Sequence, residues 1–398
     1  MFRRKQYDIL MSRILEPRAT IQVISGSRQI GKSTMVRQVL ENSPVPYLLE
    51  NADSVDKSNR GWISEVWAAA RLRMQNFGYK EFLLVIDEIQ KIDNWSEVVK
   101  KEWDADTFHD VNLKVVLLGS SRLLIKDGLT ESLAGRFELI RMPHWNFPEM
   151  KEAFGFSLNE YVFFGGYPGG ARYIKEARRW KRYVKDSIIA PAVEKDVIGT
   201  KAILKPELMR RLMELGCEYS GKELSLNKIL GRLQDSGNVT TLANYLNTLD
   251  ESRLLCGLQK YSVDNARKYN SVPKLMVYNT ALLSALSDDS YEDVFLSPKI
   301  LGRWMESAVG AHLLNLADEW GYKIFYWRDG KNEVDFVVAD NHKCLAIEVK
   351  SGANSFNKGM SVFREKFHPD LAFTVGTDGA MSIEEFLSTD LRKLMEST

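Results

Sequence analysis

The sequence predicts an α/β protein: a buried parallel sheet first, a largely helical middle, and a second, smaller α/β part at the C-terminal end. Three observations carry this reading. Over residues 1–145, apolar runs (Ile21-Gln22-Val23-Ile24, Phe82-Leu83-Leu84-Val85-Ile86, Val115-Val116-Leu117-Leu118) alternate with amphipathic helical stretches, as strands covered on both faces require. Over residues 146–300, after the turn-rich Phe164-Gly165-Gly166-Tyr167-Pro168-Gly169-Gly170, the apolar stretches Leu208–Met213 and Leu242–Leu249 have helical spacing. Over residues 301–398 the pattern becomes one helix, three strands, a helix and a strand: Trp304–Trp320, Lys323–Trp327, Glu333–Val338, Cys344–Lys350, Lys358–Phe367 and Leu371–Val375.

A chain of 398 residues holds two to three domains at ~150 residues each. Its 54 Lys+Arg balance 53 Asp+Glu to a net charge of +1, so any basic groove for nucleic acid must be local. Cys217, Cys256 and Cys344 are far apart and form no CxxC pair, which argues against a zinc site or disulfide framework and for a reducing, cytoplasmic setting. The basic start Met1-Phe2-Arg3-Arg4-Lys5-Gln6 leads into no apolar core, and no later run reaches membrane-spanning length. The expectation is an unexported protein with no membrane partner.

The first motif is Gly26-Ser27-Arg28-Gln29-Ile30-Gly31-Lys32-Ser33, which fits G-x-x-x-x-G-K-[ST] and stands between an apolar strand and a helix opening Ser33-Thr34-Met35-Val36. Residues 26–34 would wrap their N–H groups and the helix N-terminus around phosphate oxygens, with Lys32 on the β and γ phosphates and Ser33 on magnesium. ATP and Mg²⁺ are therefore the expected ligands. Phe82–Ile86 ends in Asp87-Glu88. In-line attack on a γ-phosphate needs one acid for the metal, Asp87, and one for the water, Glu88. The strand Lys114–Leu118 ends in Gly119-Ser120-Ser121-Arg122; Ser120, with Ser121 as its competitor, would stand beside the γ-phosphate.

In the middle, Thr240-Thr241-Leu242-Ala243-Asn244-Tyr245-Leu246 reads as a helix opened by a Thr cap and followed by a wing-like strand Cys256–Tyr261. This resembles half of a winged helix. Lys222, Lys228, Arg232, Lys260, Arg267 and Lys268 give it local positive charge suited to DNA phosphates; a packing module is the alternative. The run Arg178-Arg179-Trp180-Lys181-Arg182 reads as a solvated helix face, with a nucleic-acid or inter-subunit role as the alternative. The histidines His109, His144, His312, His342 and His368 show no metal-ligand spacing.

Toward the C-terminus, Asp335 lies on the strand Val334–Val338, and Glu348 and Lys350 lie two apart on the strand Leu345–Lys350, after a turn around Asp340-Asn341. Two-residue spacing puts Glu348 and Lys350 on one strand face. Asp335 and Glu348 holding magnesium, with Lys350 orienting a water or stabilising charge, is the composition that phosphodiester hydrolysis requires; Glu306 on the preceding helix is a fourth member. An exposed polar strand face is the plainer alternative.

The segments GSRQIGKST (Gly26–Thr34), Asp87-Glu88-Ile89-Gln90-Lys91 with Trp95, Gly119-Ser120-Ser121 and Glu131-Ser132-Leu133-Ala134-Gly135-Arg136 resemble, in this order, a prokaryotic AAA-like P-loop ATPase family. Its C-terminal domain is related to restriction endonucleases. Gly165-Gly166-Tyr167-Pro168 and Pro273-Lys274-Leu275 are similar to that family's second half. The resemblance implies ATP hydrolysis to ADP and phosphate, with Ser120 as sensor and Arg136 completing a catalytic site in cis or, in a homo-oligomer, in trans; an ion-paired surface arginine is the alternative. Arg122 departs from the small polar residue expected there. The order helix-Glu, strand, strand-Asp, strand Glu-x-Lys, helix, strand is similar to the PD-(D/E)xK nuclease core, with Val334 where that pattern has proline. The implied whole is an ATPase coupled to a nuclease-like domain acting on DNA. Its rival is a nucleotide-switched scaffold that grips DNA or a protein partner without cleaving.

Overall fold

A computed structural model describes residues 2–120, 129, 132–198, 203–233, 238–262, 271–340, 342–352 and 358–396. Ser121, Arg122, Glu131, Arg267, Lys268 and Asn341 lie outside the described residues. The chain divides into two compact units, residues 1–142 and 143–398.

In the first unit, β1 (Ile21–Gly26), β2 (Tyr47–Asn51), β3 (Phe82–Asp87), β4 (Leu113–Gly119) and β5 (Phe137–Met142) form a parallel sheet in the order β2-β3-β4-β1-β5. Every residue of β1, β3 and β4 is buried, whereas the edge strands β2 and β5 are partly exposed. Burial on both faces is what makes the inner strands unbroken apolar runs. Ser25 pairs with Gly119 and Ile86 with Leu117, so β1, β3 and β4 all finish at one edge of the sheet, where α/β folds bind ligands. The helices Gly61–Phe77 and Trp95–Phe108 are locked together by Arg71, which donates to Asp106 and Glu102, each at 2.7 Å.

In the second unit, β6 (Leu255–Lys260), β7 (Lys274–Val277), β8 (Lys323–Asp329), β9 (Asn332–Ala339), β10 (Cys344–Lys350) and β11 (Leu371–Gly376) form a sheet in the order β11-β10-β9-β8-β6-β7. Strands β8, β9 and β10 are antiparallel, and β11 returns parallel to β10 across the helix Lys358–Phe367. A helix, three strands, a helix and a strand thus follow in the order expected from residue 301 onward. The strand expected at Cys256–Tyr261 is not a free-standing wing. As β6 it makes a hairpin with β7, and its Gln259 and Lys260 pair with Phe325 and Tyr326 of β8, covering an edge that would otherwise be open.

The helix Pro298–Trp320 lies against this sheet at Gly310, where a Cβ would come 2.6 Å from Met276 Sδ and 2.9 Å from Phe336 Cζ. The expected Thr cap is corrected: the helix runs Val239–Glu251 and Asn238 caps it, accepting from the Thr241 N–H at 2.7 Å, so Thr240 and Thr241 lie inside the first turn. Asn offers the same kind of side-chain acceptor two positions before Thr240. Among the described residues no helix is long and apolar enough to cross a membrane.

Candidate functional site

The phosphate loop grows directly out of the buried β1. A Cβ at Gly26 would lie 2.5 Å from the Met142 carbonyl oxygen, and Ile30 is buried beneath the loop. Gln29 and Gly31 take left-handed backbone angles, φ 59° and 92°, and the helix Lys32–Asn42 starts at once. Such a curl turns successive N–H groups inward toward an anion. The buried Lys32 donates from Nζ to the Gly26 and Ser27 carbonyls at 2.8 and 2.9 Å, so its ammonium is held in the concavity. Thr34 is exposed on the first helical turn.

Ser33 Oγ donates to Asp87 Oδ2 at 2.6 Å, while Asp87 Oδ1 accepts from the Glu88 N–H at 2.9 Å. The two motifs are thereby joined across the mouth of the sheet. Glu88 sits in a left-handed turn, φ 54°, and its Oε2 accepts from Gln90 Nε2 at 2.6 Å and lies 3.9 Å from Arg28 Nη2. Gln90 is a partner that the sequence reading did not single out; only its place two residues after Glu88 could have signalled it. Ser120 follows β4, and its Oγ and that of Ser27 are buried with no hydrogen-bond partner among the described residues. Buried hydroxyls are normally satisfied. Phosphate oxygens or a phosphate-bound water would satisfy these two, so the residues present fit ATP, with Ser33 and Asp87 as the oxygen donors for Mg²⁺.

Arg136 is not part of this constellation within the chain. It makes a two-pronged ion pair with Asp104, at 2.7 and 3.0 Å, which raises its pKa. Its carbonyl accepts from the Ile21 N–H at the start of β1, a strand's length from the phosphate loop, ~17 Å at ~3.3 Å per residue.

In the second unit, Phe336 of β9 pairs with Ile347 of β10, which sets Asp335 opposite Glu348. Both carboxylates are buried. Val349 N–H donates to Asp335 Oδ2 at 2.8 Å, and Lys350 Nζ lies 2.7 Å from Glu348 Oε1, on the face the two-residue spacing predicts. Glu306 joins them from the helix Pro298–Trp320, but through a residue the sequence reading gave no chemistry. Lys274, buried on β7, is ion-paired with Glu306, lies 3.6 Å from Asp335 Oδ1 and donates to the Asp335 carbonyl at 3.2 Å. Its signal was a lysine directly ahead of the apolar run Leu275-Met276-Val277, where a buried charge needs an acid.

Like charges facing across a ladder are unfavourable, and the titration follows. Burial, and then Asp335, pushes Glu348 up to about 7; burial also pushes Glu306 up to about 7, against the pull of Lys274. Lys274 is raised in spite of burial by Glu306 and Asp335, and Lys350 in spite of burial by Glu348. Among the described residues no three His, Cys, Asp or Glu side chains converge as a metal cage. Mg²⁺ is typically held by one or two carboxylates, with water and phosphate completing its shell. Asp335 and Glu348, whose Oε2 is buried without a hydrogen-bond partner among the described residues, fit such an ion as a pair; Glu306 is committed to Lys274.

The remaining basic residues divide. The run 178–182 lies on the helix Ala177–Tyr183, which packs through the buried Trp180 while Lys181 Nζ donates to the Ser287 and Asp289 carbonyls at 2.7 and 3.1 Å. Lys222 and Arg232 flank the Tyr219 ring at 5.4 and 4.7 Å, Lys228 is exposed, and Lys260 ends β6.

Residues 18–151 match the family model of an AAA domain, and residues 155–293 and 301–385 match two domain families of unknown function. The chain is 24% identical over 340 residues to an uncharacterized protein of Mycobacterium tuberculosis, covering 84% of this chain and 70% of the relative. It is 24% identical over 294 residues to an uncharacterized protein of Methanocaldococcus jannaschii, covering 69% of this chain and 62% of the relative. Solved structures similar to it include the Aeropyrum pernix ORC1 protein in complex with DNA, at TM-score 0.31 and 14% identity over 73% of this chain and 92% of that one. Another is the Thermotoga maritima RuvB Holliday junction branch migration motor, at TM-score 0.34 and 18% identity over 64% and 87%. With the AAA-domain match standing over a five-stranded parallel sheet and its phosphate loop, residues 18–151 have an AAA-like P-loop fold.

Proposed function

We propose that this chain binds ATP with Mg²⁺ and hydrolyses it to ADP and phosphate, and that the second unit engages DNA at Asp335, Glu348 and Lys350, with phosphodiester cleavage as its chemistry. The observation that supports the first half most strongly is the 2.6 Å bond from Ser33 to Asp87, which brings together two motifs 54 residues apart. Mg²⁺, when bound, offsets charge on the β and γ phosphates. Lys32 exchanges its loop carbonyls for phosphate oxygens, Glu88 takes the proton of the attacking water, and the Ser120 hydroxyl bonds the γ-phosphate. Lys32→Ala should weaken ATP binding about 100-fold or more, the weight of ~3 kcal/mol of charge-assisted contacts. Retained tight binding in a fluorescent-nucleotide titration would overturn the assignment.

For the second half, support comes from two opposed carboxylates, a lysine on the same face and a buried carboxylate oxygen with no hydrogen-bond partner among the described residues, set in the helix, three-strand, helix, strand order of the nuclease core described above. Supercoiled and linear DNA with Mg²⁺ or Mn²⁺ should be cleaved by the wild type and left intact by Glu348→Ala, with phosphate release from ATP unchanged in both. A specific observation favours the alternative of DNA gripping without cleavage: Lys274 already neutralises Glu306 and approaches Asp335. A wild type inert on every DNA form would select that reading.

A further inference from the structure

Beside the buried carboxylates of the second unit lies a group of cations. Arg303 is half-buried, its Nε has no hydrogen-bond partner among the described residues, and its guanidinium lies over the Trp304 ring at 4.6 Å. Lys222 and Arg232 share the Tyr219 ring, and Lys299 is exposed one turn ahead of Arg303 on the same helix. The four belong to one field. Lys222 is held below its ordinary pKa by burial and then by Arg303, Lys299 and Arg232, with Glu218 opposing, and Arg303 is lowered by burial against Asp289, Glu218 and Tyr219.

This patch borders the carboxylate cluster on two sides. Arg303 precedes Glu306 by one helical turn. A Cβ at Gly221, next to Lys222, would lie 3.4 Å from Glu306 Oε2, and one at Gly302, next to Arg303, would lie 3.1 Å from the Oγ of Ser351, which follows Lys350. The Lys222 carbonyl accepts from the Leu275 N–H at 3.0 Å, anchoring it beside Lys274. A half-buried arginine whose Nε has no partner among the described residues suits an anion with several acceptors, and a phosphate meets a guanidinium in two-pronged geometry. Exposed lysines near it suit a polyanion running past rather than a small ion enclosed.

We propose that Lys222, Lys299 and Arg303 bind the phosphodiester backbone of DNA and lead it to Asp335 and Glu348. The proposal rests on reading that pair as a DNA-directed site, and the test separates the two. Binding of a short fluorescein-labelled duplex to the full chain is followed by anisotropy at several salt concentrations, for the wild type, the double variant Lys222→Gln/Lys299→Gln, and Arg303→Gln. The double variant changes only exposed side chains, so its fold is secure. Its affinity should fall about ten- to a hundredfold, and the slope of log affinity against log salt should shrink by about 0.9 per cation removed, with ATP turnover unchanged. Arg303→Gln should do the same by about one contact. Wild-type affinity and slope in the double variant, or a wild type that binds no duplex, would overturn the proposal. Weakened binding in the variants with no cleavage by the wild type would sustain the patch and sink the cleavage reading. Cleavage with an unchanged KM in the variants would do the reverse.

Discussion

Replacing Glu88 with glutamine should lower the kcat for ATP by about 10²- to 10³-fold, the usual weight of a positioned general base, while ATP affinity stays within about threefold. Glutamine keeps the size of the side chain and an oxygen for the Gln90 amide, which meets Glu88 Oε2 at 2.6 Å. It removes the ability to take a proton. The Ser33–Asp87 bond and the Lys32 contacts, to which the proposed function gives nucleotide and metal binding, are untouched. The expected signature is therefore a trapped complex: single-turnover experiments should show bound, unhydrolysed ATP. Turnover at the wild-type rate would remove Glu88 from the mechanism.

The second large effect is on stability. Lys274→Met strips the buried cation from Glu306 and Asp335, and breaking one side of a buried ion pair costs about 3–5 kcal/mol. Urea unfolding followed by tryptophan fluorescence should show the loss at pH 8. At pH 5.5 it should be smaller, because Glu306, already pushed up to about 7 by burial, takes a proton and no longer needs the lysine. The wild type has a related dependence. Glu306 and Glu348 have folded pKa values of about 7 against an ordinary 4.5, so the native state holds their protons more tightly than the unfolded chain. Their contribution is complete below 4.5 and is lost as pH rises through 7. Adding Glu306→Gln to Lys274→Met should restore most of the lost stability; a double variant as weak as the single one would show that Lys274 acts by packing alone.

How far the sequence could be read follows burial and locality. β1, β3 and β4 are covered on both faces and stood out as apolar runs, whereas β2 and β5, on the sheet's edges, alternate weakly and were not anticipated. The phosphate loop and Asp87-Glu88 were legible because their chemistry depends on local spacing. So was the shared face of Glu348 and Lys350, fixed by strand periodicity. The opposition of Asp335 to Glu348 needs the register of β9 on β10, which strand order made guessable. Lys274 was given no role from the sequence, because its partners come from a helix and a strand 32 and 61 residues away. Arg136 shows what a local motif leaves open: its context implied a role in cis or in trans, and within the chain its side chain is engaged by Asp104, at the opposite end of β1 from the phosphate loop.

The placement of β6 and β7 sets where this molecule can be divided. Both strands precede residue 300, yet β6 pairs with β8 and β7 supplies Lys274. A fragment starting at residue 301 would keep Glu306, Asp335, Glu348 and Lys350 but bare the outer edge of β8, a template for pairing with other chains. It would also carry its carboxylates without their buried counter-charge. Self-association and misfolding of that fragment would then be consequences of where the cut was made, and the smallest piece with an intact cluster is one that retains the hairpin.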